Sequence, residues 1–134
     1  MTSADAIRLT RQHVERQFPK VCGACGQRFE SLIEYLRLTT HVGDVASLDA
    51  QMGDWRPKRP AGTLSLANCR CGTTLAVGSD GMGLFTLWRL LHWAKGETKR
   101  RGVTLECVLT SVREEIDREV LAEAAARASE SRKE

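Results

Sequence analysis

The segments Cys22-Gly23-Ala24-Cys25-Gly26 and Cys69-Arg70-Cys71-Gly72 decide how this chain of 134 residues is read. Each carries two closely spaced cysteines with a glycine directly behind the second. A tight turn of that kind aims two sulfurs at one point, and the trailing glycine permits the positive φ the turn demands. Two such half-sites in one chain make a tetrahedral four-thiolate metal site. Cys22, Cys25, Cys69 and Cys71 are the expected ligands, and one structural Zn2+ per chain is the expected ion. Four unrelated buried cysteines would not cluster in this way. Iron is the chemical rival, because the same four sulfurs accept it. The missing second C-x-x-C and the scarcity of aromatic residues near the turns count against iron.

Around the first turn the hydrophobic spacing is helical. Ser3 to Phe18 reads as a helix with Ser3 as its N-cap and Ile7, Val14 and Phe18 on one face, stopped by Pro19. Phe29, Leu32, Ile33 and Leu36 give a second amphipathic helix that ends near Thr40, before Gly43-Asp44. From Asp44 to Gly62 periodicity is lost, which predicts a long loop with one short helical turn. Thr63 to Asn68 and Thr73 to Val77 alternate, so they read as strands flanking the second turn, a hairpin with the metal at its tip. Leu84 to Ala94 is a helix apolar almost all round, which needs cover on several sides, and Lys95 to Gly102 reads as a basic turn. Thr104 then caps a last helix with Leu105, Val108, Leu109, Val112, Ile116 and Val120 as its stripe. Its alanine-rich end from Ala122 is expected to fray, and Glu114 to support it through Arg118.

Within Val21 to Gln27 and Leu64 to Val77 the chain resembles zinc-ribbon and zinc-knuckle proteins in general. It departs from them in its C-x-C second pair and in the helix and loop inserted between the halves. The expected fold class is α+β, a small zinc-ribbon-like β-hairpin with a four-cysteine site, packed with three to four α-helices. Residues 1–20 form the N-terminal helix, 21–78 the zinc-binding module and 79–134 the C-terminal helical segment, together one integrated domain.

Five cysteines, no signal-peptide-like start and no long apolar run point to a reducing, cytoplasmic setting and no membrane. The formal charge of +3 is unevenly spread: Trp55 to Arg101 carries +7, while the segments Val21 to Asp54 and Gly102 to Glu134 carry −3 each. Pairing between the basic middle and the acidic last helix would cancel much of that polarity. No catalytic constellation is present, since G-x-S-x-G and H-E-x-x-H are absent and Gly78 to Gly83 lacks the lysine of a phosphate loop. A site saturated by four thiolates keeps no open position for water, so no enzyme is expected. His41, His13 and His92 have no partner at metal spacing, and Cys107 reads as a packing residue.

These features support a small zinc-binding interaction or adaptor protein that meets a protein partner, or a second copy of itself, through the Leu84 to Ala94 helix. A nucleic-acid-binding reading places Arg56, Lys58, Arg59, Arg70, Lys95, Lys99, Arg100 and Arg101 against phosphates with Trp55 for stacking. It draws weight from the role of zinc ribbons in transcription and translation. A third reading is a thiol redox sensor that expels zinc on oxidation.

Overall fold

The computed structural model describes residues 1–51 and 61–133, so Trp55, Arg56, Lys58 and Arg59 lie outside the described part. The chain is mixed α/β, with helices packed around two small antiparallel sheets. Helix α1 (Ser3–Glu15) leads to strands β1 (Lys20–Val21) and β2 (Arg28–Phe29), a two-stranded hairpin around the first cysteine turn. Then come α2 (Leu32–Leu38), β3 (Thr39–Ser47) and a single turn α3 (Leu48–Gln51). Strands β4 (Thr63–Cys69) and β5 (Thr74–Gly78) enclose the second cysteine turn. The helices α4 (Leu84–Arg101) and α5 (Leu105–Lys133) close the fold, and the larger sheet has the order β3-β4-β5.

Several boundaries differ from the sequence reading for identifiable reasons. The N-cap of α1 is Thr2, not Ser3, because Thr2 and Asp5 form a reciprocal capping box. Phe29 is a strand residue, and α2 begins at Leu32 behind Ser31. The expected end of helix and start of loop at Thr39 to Ser47 is instead β3. Its β-branched residues pair with β4 from Thr39 opposite Cys69 to Ser47 opposite Thr63. Gly43-Asp44, read as a turn signal, sits where the register shifts between Val42 and Ala46. A bulge uses the same residues as a turn. The single helical turn expected in this stretch is α3. Its Asp49 is buried and accepts hydrogen bonds from the Ala61 and Gly62 amides at 2.7 and 3.1 Å.

Lys95 to Arg101 is not a turn but the last part of α4. Glu97 binds Arg100 and Arg101 one turn on, at 2.5 and 2.7 Å. Three basic residues close the helix at its negative end. Gly102, at φ 68°, caps it with its N–H donating to the Thr98 carbonyl at 2.9 Å. Along α5, Arg118 pairs with Glu115 rather than Glu114. This helix runs through its alanines to Lys133.

The α5 stripe holds the core together. Val112, Ile116 and Val120 join Cys22, Phe29, Leu32, Tyr35, Ala67, Cys69, Leu75 and Val77 in one cluster. Val108, Leu105 and Leu109 join Val45 and Ala94 in a second, and Trp93 of α4 packs against both. Thr110 anchors β3 to α5, its hydroxyl accepting from the Val45 amide at 2.9 Å.

Helix α1 is tied to α5 by a charge clamp. Arg11 reaches Glu15 at 2.8 Å, Glu119 at 3.2 Å and Glu123 on the far helix. Glu119 and Glu123 of the acidic last helix thus pair with α1. Arg11 holds the Glu123 carboxyl below its ordinary value. A lowered folded value means that this contribution is complete above the ordinary carboxylate range and is lost as the pH falls below about 4. The protection factors of the α1 amides, taken relative to intrinsic exchange at each pH, are therefore expected to fall on acidification, and Arg11→Gln to lower them in the same way at neutral pH. Unchanged α1 exchange in that variant would remove the clamp as a docking element.

Candidate metal centre

The two cysteine turns share one hydrogen-bonding plan despite their different lengths. In the first, the Cys22 N–H donates to the Gln27 carbonyl and the Gly26 N–H to the Cys22 carbonyl, both at 2.9 Å. In the second, the Cys69 N–H donates to the Thr73 carbonyl at 2.8 Å and the Gly72 N–H to the Cys69 carbonyl at 2.9 Å. Gly26 and Gly72 hold φ of 77° and 91°, a conformation that costs glycine little and other residues much. The C-x-C-G turn is thus the C-x-x-C-G turn shortened by one residue. Each sits at the tip of its own hairpin, so the structure has two sheets where one was expected.

Folding brings the four sulfurs together. All lie within 4.8 Å of one another, with Cys22 and Cys71 Sγ 3.8 Å apart and Cys25 and Cys69 Sγ 3.7 Å apart. A tetrahedron with metal–sulfur bonds of about 2.3 Å has edges of about 3.8 Å. A disulfide would need about 2.05 Å. The cross-turn distances therefore suit a central ion, and the cluster can hold one. The first cysteine of each turn is inside, Cys22 at 0% and Cys69 at 5% exposure, and the second, Cys25 or Cys71, is exposed. The inner two belong to the main core cluster, which couples the site to the fold.

The thiol electrostatics point the same way. Cys71 is pulled down to about 6, first by the Thr73 hydroxyl, 3.2 Å away, and then by the Thr73 amide. Cys22 is lowered by the amides of Cys25 and Ala24. At Cys25 the Gln27 amide favours the thiolate, but desolvation and the sulfurs of Cys69, Cys22 and Cys71 outweigh it and push the group up to about 12. Some protons leave readily, whereas the last is held by crowding of like charge. A divalent cation reverses that crowding and releases it. Thr73 and Gln27 were not singled out from sequence. The signal that finds them is position, since each directly follows a turn glycine and donates its amide to the second sulfur.

The remaining candidates fall elsewhere. Among the described residues no histidine or carboxylate joins the four cysteines as a possible ligand. His41 lies on β3 with Nε2 2.8 Å from Asp117 Oδ2, His92 stacks on Trp88, and His13 is buried in α1. Cys107 is exposed, its amide donating to the Thr104 hydroxyl that caps α5. Of the basic residues expected to meet phosphates, Arg100 and Arg101 are bound to Glu97. Among the described residues no helix is long and apolar enough to cross a membrane. No protein-family model, curated protein or solved structure matches this chain.

Proposed function

We propose that this chain is a small zinc-structured interaction module of the zinc-ribbon type, in which the metal site shapes the fold and the start of α4 binds a partner protein. Zinc is preferred to iron on the C-x-C second turn, which departs from the paired C-x-x-C of an iron tetrathiolate, and four thiolates saturate either ion. A binding role rather than a catalytic one is supported by the same saturation.

The observation that carries the partner reading is the uncovered face of α4. Leu87, Leu90, Leu91 and Ala94 are buried, but Leu84, Phe85 and Trp88 are exposed by 50%, 70% and 48%. Large apolar side chains so grouped at one helix start mark interaction surfaces more often than free ones. Arg89 lies over the Phe85 ring and His92 against Trp88, so the patch is held in shape and rimmed by basic groups. A partner with an apolar surface and an acidic rim complements it. Trp93, by contrast, packs between the two cores and belongs to the fold.

Phe85→Glu and Trp88→Glu are expected to abolish the complex recovered from nuclease-treated native extract, with zinc content and circular dichroism unchanged. Trp93→Glu is expected to unfold the protein instead. If the α4 variants keep every partner, or if a nuclease-sensitive complex is the only one found, the module reading gives way to the nucleic-acid reading. Loss of a dimer in light scattering would identify the partner as a second copy.

A further inference from the structure

The four sulfurs are not equally placed. Cys22 and Cys69 belong to the main core cluster, at 0% and 5% exposure, while Cys25 and Cys71 are exposed. The exposed pair sits one in each turn, and the turns belong to separate hairpins. All four thiols are free, and their sulfurs lie within 4.8 Å of one another. An oxidant in water meets Cys25 and Cys71 first, because reaction at sulfur follows its accessibility.

What each exposed sulfur can join is then set by the backbone. Cys71 lies two positions from Cys69, and a bond between them would close a small strained ring. The remaining neighbours of Cys71 are Cys22 and Cys25, both on the other turn. Cys22 shares the core cluster with Phe29, Tyr35 and Leu75, so drawing its sulfur outward would disturb close packing. The turn tips that carry Cys25 and Cys71 are under no such constraint. A β-carbon placed at Gly23, Gly26 or Gly72 would meet nothing within 4 Å. Closing from within 4.8 Å to a bond of about 2.05 Å therefore costs least between the two tips.

We infer that Cys25 and Cys71 form an oxidation site, at which hydrogen peroxide converts the two outer thiolates into a disulfide joining the two turns. One sulfur attacks a peroxide oxygen, which breaks the O–O bond and leaves a sulfenic acid on that cysteine. The second sulfur displaces the hydroxyl as the S–S bond forms. The sulfurs give up two electrons, the peroxide takes them, and two protons from solvent complete two waters. Two of the four charged ligands are then gone, and a bound ion leaves with them. The new bond closes the same long loop between the turns, so both hairpins stay tethered after the metal is lost. Release of the ion rests on the metal-centre reading proposed above; the disulfide does not.

The test incubates the full zinc-loaded chain with equimolar hydrogen peroxide. Zinc release is read with a colorimetric chelator, thiols are counted in denaturant, and the disulfide is mapped by mass spectrometry. Trypsin cuts after Lys20, Arg28, Arg70 and Arg89, which separates Cys69 from Cys71. Two of the five thiols are expected to disappear, and the zinc to be released. Peptide 21–28 should be found bonded to peptide 71–89, with fragmentation placing the bond on Cys25. Circular dichroism should be unchanged, and dithiothreitol with added zinc should restore the starting state. Cys107→Ser should behave identically. A bond to Cys22, Cys69 or Cys107, a sulfinic acid without a disulfide, retention of all five thiols, or loss of the helical signal together with the zinc would overturn the inference. Zinc content before oxidation reports on the metal reading separately. A chain that carries no zinc fails that reading, and the disulfide map still decides this one.

Discussion

Cys69→Ser is expected to drop bound zinc from one equivalent per chain to under half and to unfold both cysteine hairpins. Cys69 lies at 5% exposure, and its Sγ faces Cys25, 44 residues earlier in the chain. Serine offers a harder, protonated oxygen that zinc binds poorly beside thiolates. The β1-β2 hairpin has two residues per strand and cannot stand alone. A bound metal would instead close the long loop between the turns, and structural zinc contributes apparent binding energies on the order of 10–16 kcal/mol. That rivals the whole stability of an ordinary domain, about 5–15 kcal/mol. Elemental analysis and amide dispersion of the Lys20 to Phe29 and Thr63 to Gly78 segments measure the outcome. Cys25→Ser and Cys71→Ser, at the exposed corners, should lose less, since water can take the vacated position there. Equal loss at all four positions would contradict the inside-outside division of the site. A full equivalent of metal and unchanged stability in Cys69→Ser would refute a shared centre.

The second large effect is expected from Phe29→Ala, at about 3–5 kcal/mol of destabilisation. Phe29 is fully buried and meets Tyr35 edge-on at 5.4 Å, and Tyr35 meets Phe18 at 5.6 Å. The three rings join the first hairpin to α1 and α2, and Phe29 shares its cluster with Cys22 and Cys69. Removing it opens a hole at the junction of metal site and helical core, where neighbours held by the sulfurs cannot easily collapse. Denaturant unfolding of the zinc-saturated protein tests this, with a melting temperature roughly 10–25 °C lower. Phe85→Ala is the control. At 70% exposure that position should change stability by no more than about 0.5 kcal/mol. Similar values for the two variants would show that the aromatic cluster is not the core of this fold.

What could be read in the chain itself was local. The two cysteine turns follow from four residues and two glycines, because their geometry is made by bonds that span at most five positions. The α5 stripe was equally legible, because one side-chain type repeats at the helical period, and Leu105, Val108, Leu109, Val112, Ile116 and Val120 are all buried. What escaped depended on partners far along the chain. Thr39 to Ser47 has no clean alternation, and it becomes a strand because β4 supplies its hydrogen bonds. Lys95 to Arg101 looked like a basic turn until Glu97 and the Gly102 cap made it helix. The apolar α4 offered no clue to which residues would stay uncovered. Only tertiary packing decided that Leu87, which lies beside Gly62, goes in with Leu90 and Leu91 while Leu84, Phe85 and Trp88 stay out. The grouping of Thr10, His13, Tyr35, His41 and Arg113 around one pocket was the least legible feature, because these residues lie on four separate elements that only tertiary packing brings together.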